Sequence, residues 1–159
     1  MHAPLSPPTA AALRAASAEA GISIDLDDET FERLGAFVEL RAAWHQTHNL
    51  MGPESARDPW RRDVLDAFAL AHVLAPDAPL IDVGAGGGTP GLILAITDPD
   101  RDVHLVEPAS KRSAFLRSAA RSLGLARVHV HRARWPLQIG CGAAQVVSRA
   151  MVAPAQWPD

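Results

Sequence analysis

Residues 80–91 read LIDVGAGGGTPG, and this stretch decides the fold. A short apolar run that contains one acid, Asp82, leads into four glycines, and Pro90 then precedes a second apolar run. The glycines are Gly84, Gly86, Gly87 and Gly88. The pattern predicts a strand, a tight loop that a ligand can approach without meeting a Cβ, and a helix with Pro90 in its first turn. Open α/β sheets bind nucleosides with this arrangement.

Apolar runs and amphipathic segments alternate along the rest of the chain after this stretch. The predicted strands are 79–83, 103–106, 128–131 and 145–148, and the predicted helices between them are 90–97 and 110–123. Such alternation predicts an α/β protein with a parallel sheet and right-handed crossovers. The segment 132–144 is ambiguous.

The part of the chain before the sheet is predicted to be helical. Thr9 would cap the first helix, which runs to about Ala20. The acids at 27–29 stand at the start of the second helix, which ends near residue 48, and the third is predicted over 58–75. Asp58 would cap this third helix, with Pro59 as its first residue. We therefore divide the chain into a proline-rich start (1–8), N-terminal helices (9–75) and a Rossmann-like core (76–159).

Composition limits the classes of protein that fit. The 159 residues are enough for one domain, no apolar run approaches the ~20 residues of a membrane span, and the N-terminus does not resemble a signal peptide. The single cysteine, Cys141, excludes an internal disulfide and fits the reducing cytoplasm.

The charge is unevenly distributed along the chain: residues 1–107 hold 7 basic and 17 acidic side chains, whereas residues 108–159 hold 8 basic and one acidic. The basic C-terminal part predicts a surface that faces a polyanion.

Two nucleoside-binding patterns fit the glycine loop. Residues 84–88 match GxGxG, the loop of class I S-adenosylmethionine-dependent methyltransferases, and residues 86–91 match GxGxxG, the dinucleotide fingerprint. The first is favoured, because the second begins two residues beyond the strand and contains Pro90.

Glu107 ends the second strand about 20 residues later, where an acid can accept hydrogen bonds from both ribose hydroxyls. An acid that only caps the helix after Pro108 is the alternative for Glu107.

Five blocks in order resemble one family, the bacterial 16S rRNA guanine-N7 methyltransferases of the glucose-inhibited division protein B type. The blocks are WHQTHNL at 44–50, RDVLDA at 62–67, DVGAGGGTPG at 82–91, VE with SKR and FL at 106–116, and VSRA at 147–150. They cover most of the chain, and their order and spacing are more specific than the glycine loop alone.

The resemblance implies a class I methyltransferase fold and an S-adenosylmethionine cofactor. Cofactor-binding residues implied by it are Asp82, Gly84, Gly86, Gly88, Thr89, Glu107, Ala133, Arg134 and Arg149. Arg149 would also reach the target base, and Asn49, Lys111 and Arg112 would contact RNA. The implied reaction is methyl transfer to guanine N7 of 16S rRNA in the small ribosomal subunit, in the cytoplasm and without a membrane or metal partner.

The chain departs from the family pattern at four positions and in its length. Asp63 stands where the family usually has His, Ala67 where it has Ser, Met51 where it has Thr, and Arg134 where it has Glu. Four strands are predicted where the family has seven, so the chain is expected to be truncated or a short relative. We expect a monomer in which the exposed sheet edge at 145–148 offers a route to self-association.

The implied chemistry explains why no catalytic acid or base stands out. Guanine N7 carries no proton, so it attacks a methyl group without a general base, and the protein mainly positions the reactants. His129 and His131 lack neighbouring Cys, Asp or Glu residues in the sequence, and we predict no metal site there. The alternatives are methyl transfer to another RNA or a small molecule, a cofactor- or RNA-binding module without turnover, and a dinucleotide oxidoreductase.

Overall fold

The computed structural model describes residues 8–22, 26–142 and 144–149. Four parallel strands form one sheet in the order β3-β2-β1-β4. The strands are β1 (Leu80–Val83), β2 (Val103–Val106), β3 (Val128–His131) and β4 (Gln145–Ser148). The predicted strands and their parallel pairing are confirmed. Register brings Asp82 of β1 beside Leu105 of β2 and Val147 of β4.

Helices precede the sheet and connect its first three strands. They are α1 (Ala10–Glu19), α2 (Asp28–His48), α3 (Pro53–Arg57), α4 (Leu65–Ala71), α5 (Gly91–Thr97) and α6 (Ser110–Ser122). The Thr9 hydroxyl accepts a hydrogen bond from the backbone N–H of Ala12 at 3.1 Å, as expected of an N-cap. Asp27 caps α2 in the same way through the N–H of Thr30, and α2 ends at Asn49 in the left-handed conformation.

The helix predicted over 58–75 is confirmed at its start, but it is shorter and less regular than predicted. Asp58 does accept a hydrogen bond from the N–H of Arg61, but α3 precedes it, a π-helical turn occupies Trp60–Val64, and α4 ends at Ala71. The wider turn buries both Trp60 and Asp63. Trp60 stacks on Phe31 of α2 at 5.6 Å between ring centroids, and Asp63 forms an ion pair with Arg41 of the same helix. Contacts with α2 therefore accompany the irregular turn, and helical periodicity alone did not reveal them.

The two faces of the sheet are covered differently. One face packs against α5, α6 and the N-terminal helices, and its core includes Phe37, Phe68 and Phe115. The other face carries Ile81, Val83 and Val106, which pack against side chains of the irregular segment that follows β3: Trp135, Leu137, Ile139, Cys141 and Ala144. Val146 of β4 remains 47% exposed on this second face.

Strand order creates a crevice at the carboxyl end of β1. The chain runs outward from β1 to β2 and β3 and then returns to place β4 on the other side of β1. The strand order therefore reverses at β1, and such a switch point is where open α/β sheets bind ligands. No described helix is long and apolar enough to cross a membrane.

Candidate active site

A pocket of about 460 Å³ opens at this switch point. The glycine loop forms its floor, the residues after β2 and the first turn of α6 form one wall, and Arg149 after β4 forms the other. The connection between α2 and α3 covers it. The lining residues are Arg41, Leu50, Met51, Gly52, Gly84, Ala85, Gly86, Gly87, Thr89, Glu107, Pro108, Arg112 and Arg149.

The loop is shaped by its own backbone and by the α2–α3 connection. Gly86 has a φ of +51°, a conformation that favours glycine, and a Cβ on it would have only one atom within 4 Å. A Cβ on Gly87 would instead lie 2.7 Å from the carbonyl oxygen of Leu50 and 2.9 Å from Arg41 Nε. Gly86 therefore keeps the pocket open to a ligand, whereas Gly87 lets α2 and its connection approach the loop.

Glu107 ties the glycine loop to the start of α6. Its Oε2 accepts a hydrogen bond from the N–H of Gly86 at 2.9 Å, and its Oε1 accepts one from the N–H of Ala109 at 2.8 Å. The side chain is buried at the pocket wall. A carboxylate oxygen accepts more than one hydrogen bond, so the capping contact and a ligand contact, offered as alternatives by the sequence, are compatible.

Asp82 lies beneath the loop, in the buried layer between the sheet and α5. Its Oδ2 accepts a hydrogen bond from the N–H of Gly91 at 2.9 Å, and its Oδ1 has no partner among the described residues. Burial raises the pKa of Asp82 to about 7, although the Gly91 hydrogen bond and the charge of Arg149 oppose that shift. This acid therefore supports the loop and does not line the pocket.

A buried ion-pair network forms the wall near Arg149. Asp63 accepts a hydrogen bond from Arg41 at 2.6 Å through Oδ2, and from Arg149 at 2.5 Å and Ser55 at 3.0 Å through Oδ1. Burial lowers the pKa of Arg41, and the adjacent charge of Asp63 counteracts that effect. Sequence analysis assigned no site role to Arg41, Ser55 or Asp63. One feature of the sequence indicates that Arg41 is buried: it lies seven residues after Leu34, on the same face of α2.

The structure brings together six of the predicted site residues as pocket lining: Gly84, Gly86, Thr89, Glu107, Arg112 and Arg149. Arg112, predicted to contact RNA, is thus at the same pocket as the predicted cofactor residues. Asp82 is buried below the loop, and Gly88 is a buried residue of the loop itself. The remaining four do not line the pocket: Asn49, Lys111, Ala133 and Arg134. Asn49, Lys111 and Arg134 are exposed, and Ala133 is partly buried.

Histidines gather at a different place, on the second face of β2 and β3. His104 stacks on His129 at 4.7 Å and on His131 at 5.2 Å between ring centroids, and His104 Nδ1 lies 3.0 Å from His131 Nε2. Within residues 8–22, 26–142 and 144–149, no group of three His, Cys, Asp or Glu side chains is arranged to hold a metal ion.

A parallel sheet, a glycine loop after its first strand and an acid after the neighbouring strand define a Rossmann-like α/β protein of the class I methyltransferase type. A family model described as rRNA small subunit methyltransferase G (GidB) matches residues 30–156. The chain belongs to this family, which confirms the resemblance seen in its sequence.

Similar proteins carry the same family name. The chain is 38% identical over 133 residues to the ribosomal RNA small subunit methyltransferase G of Halorhodospira halophila, and the match covers 84% of this chain and 63% of that relative. It is 38% identical over 156 residues to that of Sorangium cellulosum, covering 94% and 63%. It is 43% identical over 99 residues to that of Rhodospirillum rubrum, covering 62% and 49%. The chain thus spans about half to two thirds of the length of these relatives.

Proposed function

We propose that the protein transfers a methyl group from S-adenosylmethionine to guanine N7 of 16S rRNA in the small ribosomal subunit. One observation carries the proposal: the pocket at the switch point combines the glycine loop, Glu107 and Arg149 in a chain that belongs to the methyltransferase G family. The names of the relatives support rRNA as the substrate class.

The residues present fit S-adenosylmethionine. Gly86 leaves the pocket floor free of a Cβ, and Glu107 offers the remaining acceptor positions of a buried carboxylate for ribose hydroxyls. Thr89 adds a side-chain hydroxyl to the lining. When bound, the cofactor supplies a methyl group on a positively charged sulfur. We assign Gly84, Gly86, Thr89 and Glu107 to its binding, with support from Asp82 beneath the loop and from the buried Gly88 within it.

The protein's part in the reaction is to hold the two reactants in line. Guanine N7 has no proton to lose, so no side chain has to act as a base, and the residues that line the pocket act by positioning and by excluding water. Arg149 and Arg112 add positive charge at the rim, where the phosphates or carbonyl oxygens of an RNA substrate would lie. We assign Arg149 to the target nucleotide as well as to the cofactor.

A basic surface next to the pocket supports an RNA substrate. The sequence from 108 to 149 contains eight basic residues and no acid. Two of them form ion pairs, Arg127 with Asp102 and Arg149 with Asp63. The other six are exposed on α6 and after β3: Lys111, Arg112, Arg117, Arg121, Arg132 and Arg134. We assign this surface, with Asn49, to the RNA, and retain Ala133 and Arg134 as proposed cofactor neighbours.

An RNA substrate also indicates where the protein acts in the cell. Ribosomal subunits are cytoplasmic in bacteria, so the cytoplasm is the proposed location. We retain the division into N-terminal helices (9–75) and a core (76–159), and a monomer as the working form. The outer edge of β4, which pairs only with β1 among the described strands, is the proposed surface for any self-association.

A transfer assay tests the reaction. The purified chain is incubated with S-adenosylmethionine labelled on the methyl group and with small ribosomal subunits that lack the N7 modification. The expected result is label in 16S rRNA at a guanine that becomes sensitive to cleavage after reduction, as N7-methylguanine does. A folded chain that binds S-adenosylhomocysteine and transfers no label would overturn the activity and favour a binding module without turnover.

Charge reversal tests the RNA surface separately. Lys111→Glu with Arg112→Glu should weaken binding of 16S rRNA fragments and reduce the dependence of affinity on salt, because fewer phosphate contacts release fewer counterions. Arg57→Glu with Arg61→Glu, at two exposed residues of the N-terminal helices, is the matched control and should leave both quantities nearly unchanged. Equal losses in both variants would contradict an RNA surface on α6, because RNA affinity would then depend on the overall charge of the protein.

A further inference from the structure

Asp63 is the centre of a network that joins the N-terminal helices to the end of β4. Its carboxylate is 99% buried and forms ion pairs with two guanidinium groups. The side chain of Arg41 is 3% exposed, and that of Arg149 is 38% exposed. Ser55 donates a third hydrogen bond to the same carboxylate. Two positive charges share one negative charge, so the network keeps one positive charge in excess at the pocket wall.

The geometry fixes Arg149 from one side. One of its terminal nitrogens donates to Asp63 Oδ1, and the other donates to the carbonyl oxygen of Arg62 at 3.2 Å. Arg149 also lines the pocket. A guanidinium has five N–H donors in one plane, so two held nitrogens set the direction of the remaining donors.

Arg41 explains why Asp63 holds its place. It is a buried cation whose Nε lies against the glycine loop, and its terminal nitrogen is bonded to Asp63. A buried charge of this kind requires a partner, because an unpaired ion in a protein interior is strongly destabilising. Arg41 therefore anchors the carboxylate from within, while Arg149 meets it from the pocket side.

We infer that Asp63 is a positioning residue that holds the guanidinium of Arg149 in the orientation in which its free N–H groups meet an acceptor oxygen of the RNA substrate. This inference rests on the proposed function for the identity of the substrate, but the contact between Asp63 and Arg149 does not. A long, half-exposed side chain that is fixed before the substrate arrives loses less conformational entropy on binding. Asp63 itself does not line the pocket and touches no reactant.

A double-mutant cycle on the transfer reaction tests the inference. Asp63→Asn should lower kcat/KM for the RNA at least tenfold, and Asp63→Glu, which keeps a negative charge beside the buried Arg41, should restore part of the loss. In an Arg149→Gln background, Asp63→Asn should cause little further loss, because the residue acts through Arg149. Asp63→Asn losses that are equal in both backgrounds would overturn the positioning role and indicate a purely structural one.

Two further measurements keep the result interpretable. Glu54→Gln removes the exposed ion pair between Glu54 and Arg62 nearby and should leave kcat/KM unchanged. Nuclear magnetic resonance of the arginine side chains reports the contact without any activity. The Arg149 guanidinium should be ordered in the wild type and mobile in Asp63→Asn. Unchanged mobility would overturn the inference, whereas an ordered Arg149 in a chain without transfer activity would refute only the proposed function.

Discussion

Asp82 Oδ2 accepts a hydrogen bond from the N–H of Gly91 at 2.9 Å, and this contact joins the end of β1 to the first residue of α5. The distance between the two residues is so small that a Cβ on Gly91 would lie 2.6 Å from the same carboxylate oxygen. The other oxygen of Asp82 is buried without a partner among the described residues. The loop between Asp82 and Gly91 is therefore closed from beneath by a carboxyl group whose charge is poorly compensated.

This contact predicts how stability depends on pH. The pKa of Asp82 is raised from its ordinary value of 3.8 to about 7, chiefly by burial, so the folded state holds a proton that the unfolded state has lost. Asp82 therefore lowers the free energy of unfolding as pH rises from about 4 to about 7, by roughly 4 kcal/mol over the whole window. Asp82→Asn removes this dependence, so the free energy of unfolding of the variant should increase relative to that of the wild type as pH rises.

Urea unfolding at several pH values between 4 and 8 measures the difference between the two proteins. Asp100→Asn, which changes an exposed acid after α5, is the matched control and should follow the wild type at each pH. A constant difference between Asp82→Asn and the wild type across this range would contradict a protonated Asp82.

Glu107 predicts a defect in ligand binding. Glu107→Gln replaces one acceptor oxygen by an amide group that has to face a backbone N–H, either that of Gly86 or that of Ala109. One contact becomes repulsive, and the acceptor for a ribose hydroxyl is weakened. We expect S-adenosylhomocysteine to bind about 10- to 100-fold more weakly, which corresponds to roughly 1–3 kcal/mol.

Isothermal titration calorimetry provides the measurement for Glu107→Gln. Glu32→Gln, on the exposed side of α2, should bind as the wild type does. If Glu107→Gln retained wild-type affinity, the carboxylate would bind only the backbone of the loop.

Titration of the same proteins with NAD(H) tests the class of cofactor. It should give no binding, and tight binding would instead favour a dinucleotide oxidoreductase.

The sheet could be predicted from the sequence because its signals are local. Each strand is a run of four residues that contains at least two of Val, Leu and Ile, and the glycine loop follows the first strand directly. Glu107 could be predicted to lie near Gly86, because consecutive parallel strands end at the same edge of a sheet. Its second role, as acceptor for the N–H of Ala109, was one of two alternatives that the sequence offered.

The network around Asp63 could not be predicted because its partners are distant in the chain. Arg41 and Arg149 lie 22 and 86 positions away from Asp63, and neither helical nor strand periodicity links residues at such distances. The π-helical turn that buries Asp63 is equally invisible to a search for a 3.6-residue period. An arginine on the apolar stripe of α2 was the local sign that a buried carboxylate had to be nearby.

Gly87 predicts a steric effect on both stability and binding. In Gly87→Ala, the new Cβ would lie 2.7 Å from the Leu50 carbonyl oxygen, so the α2–α3 connection or the loop has to move. Overpacking of this kind typically costs about 1–3 kcal/mol in the free energy of unfolding. The same movement should also reduce affinity for S-adenosylhomocysteine, because Leu50 lines the pocket.

Gly35→Ala is the control that separates steric from general effects at Gly87. Gly35 lies within α2, and a Cβ on it would meet no atom within 4 Å. Alanine there should raise the free energy of unfolding by about 0.5–1 kcal/mol without changing affinity, because glycine is unfavourable inside a helix. Thermal melting and calorimetry measure both quantities, and a Gly87→Ala protein with wild-type stability and affinity would contradict the close contact.

The stacked histidines predict a loss of stability in mild acid. Burial lowers the pKa of His104, and the neighbouring charges of His129 and His131 lower it further, while Asp102 acts in the opposite direction. The pKa of His131 is lowered by burial and by His129. The unfolded chain therefore takes up protons near the ordinary value of 6.5 that the folded chain does not, so the contribution of these histidines to the free energy of unfolding should fall as pH decreases below about 6.5 and stay constant above it, a trend opposite to that of Asp82.

His104→Gln removes one of these groups, so its melting temperature should rise relative to that of the wild type as pH decreases from 7.5 to 5.5. His72→Gln, at an exposed position after α4, should behave as the wild type does, and an identical acid response in His104→Gln and the wild type would show that the stacked rings do not limit stability in acid.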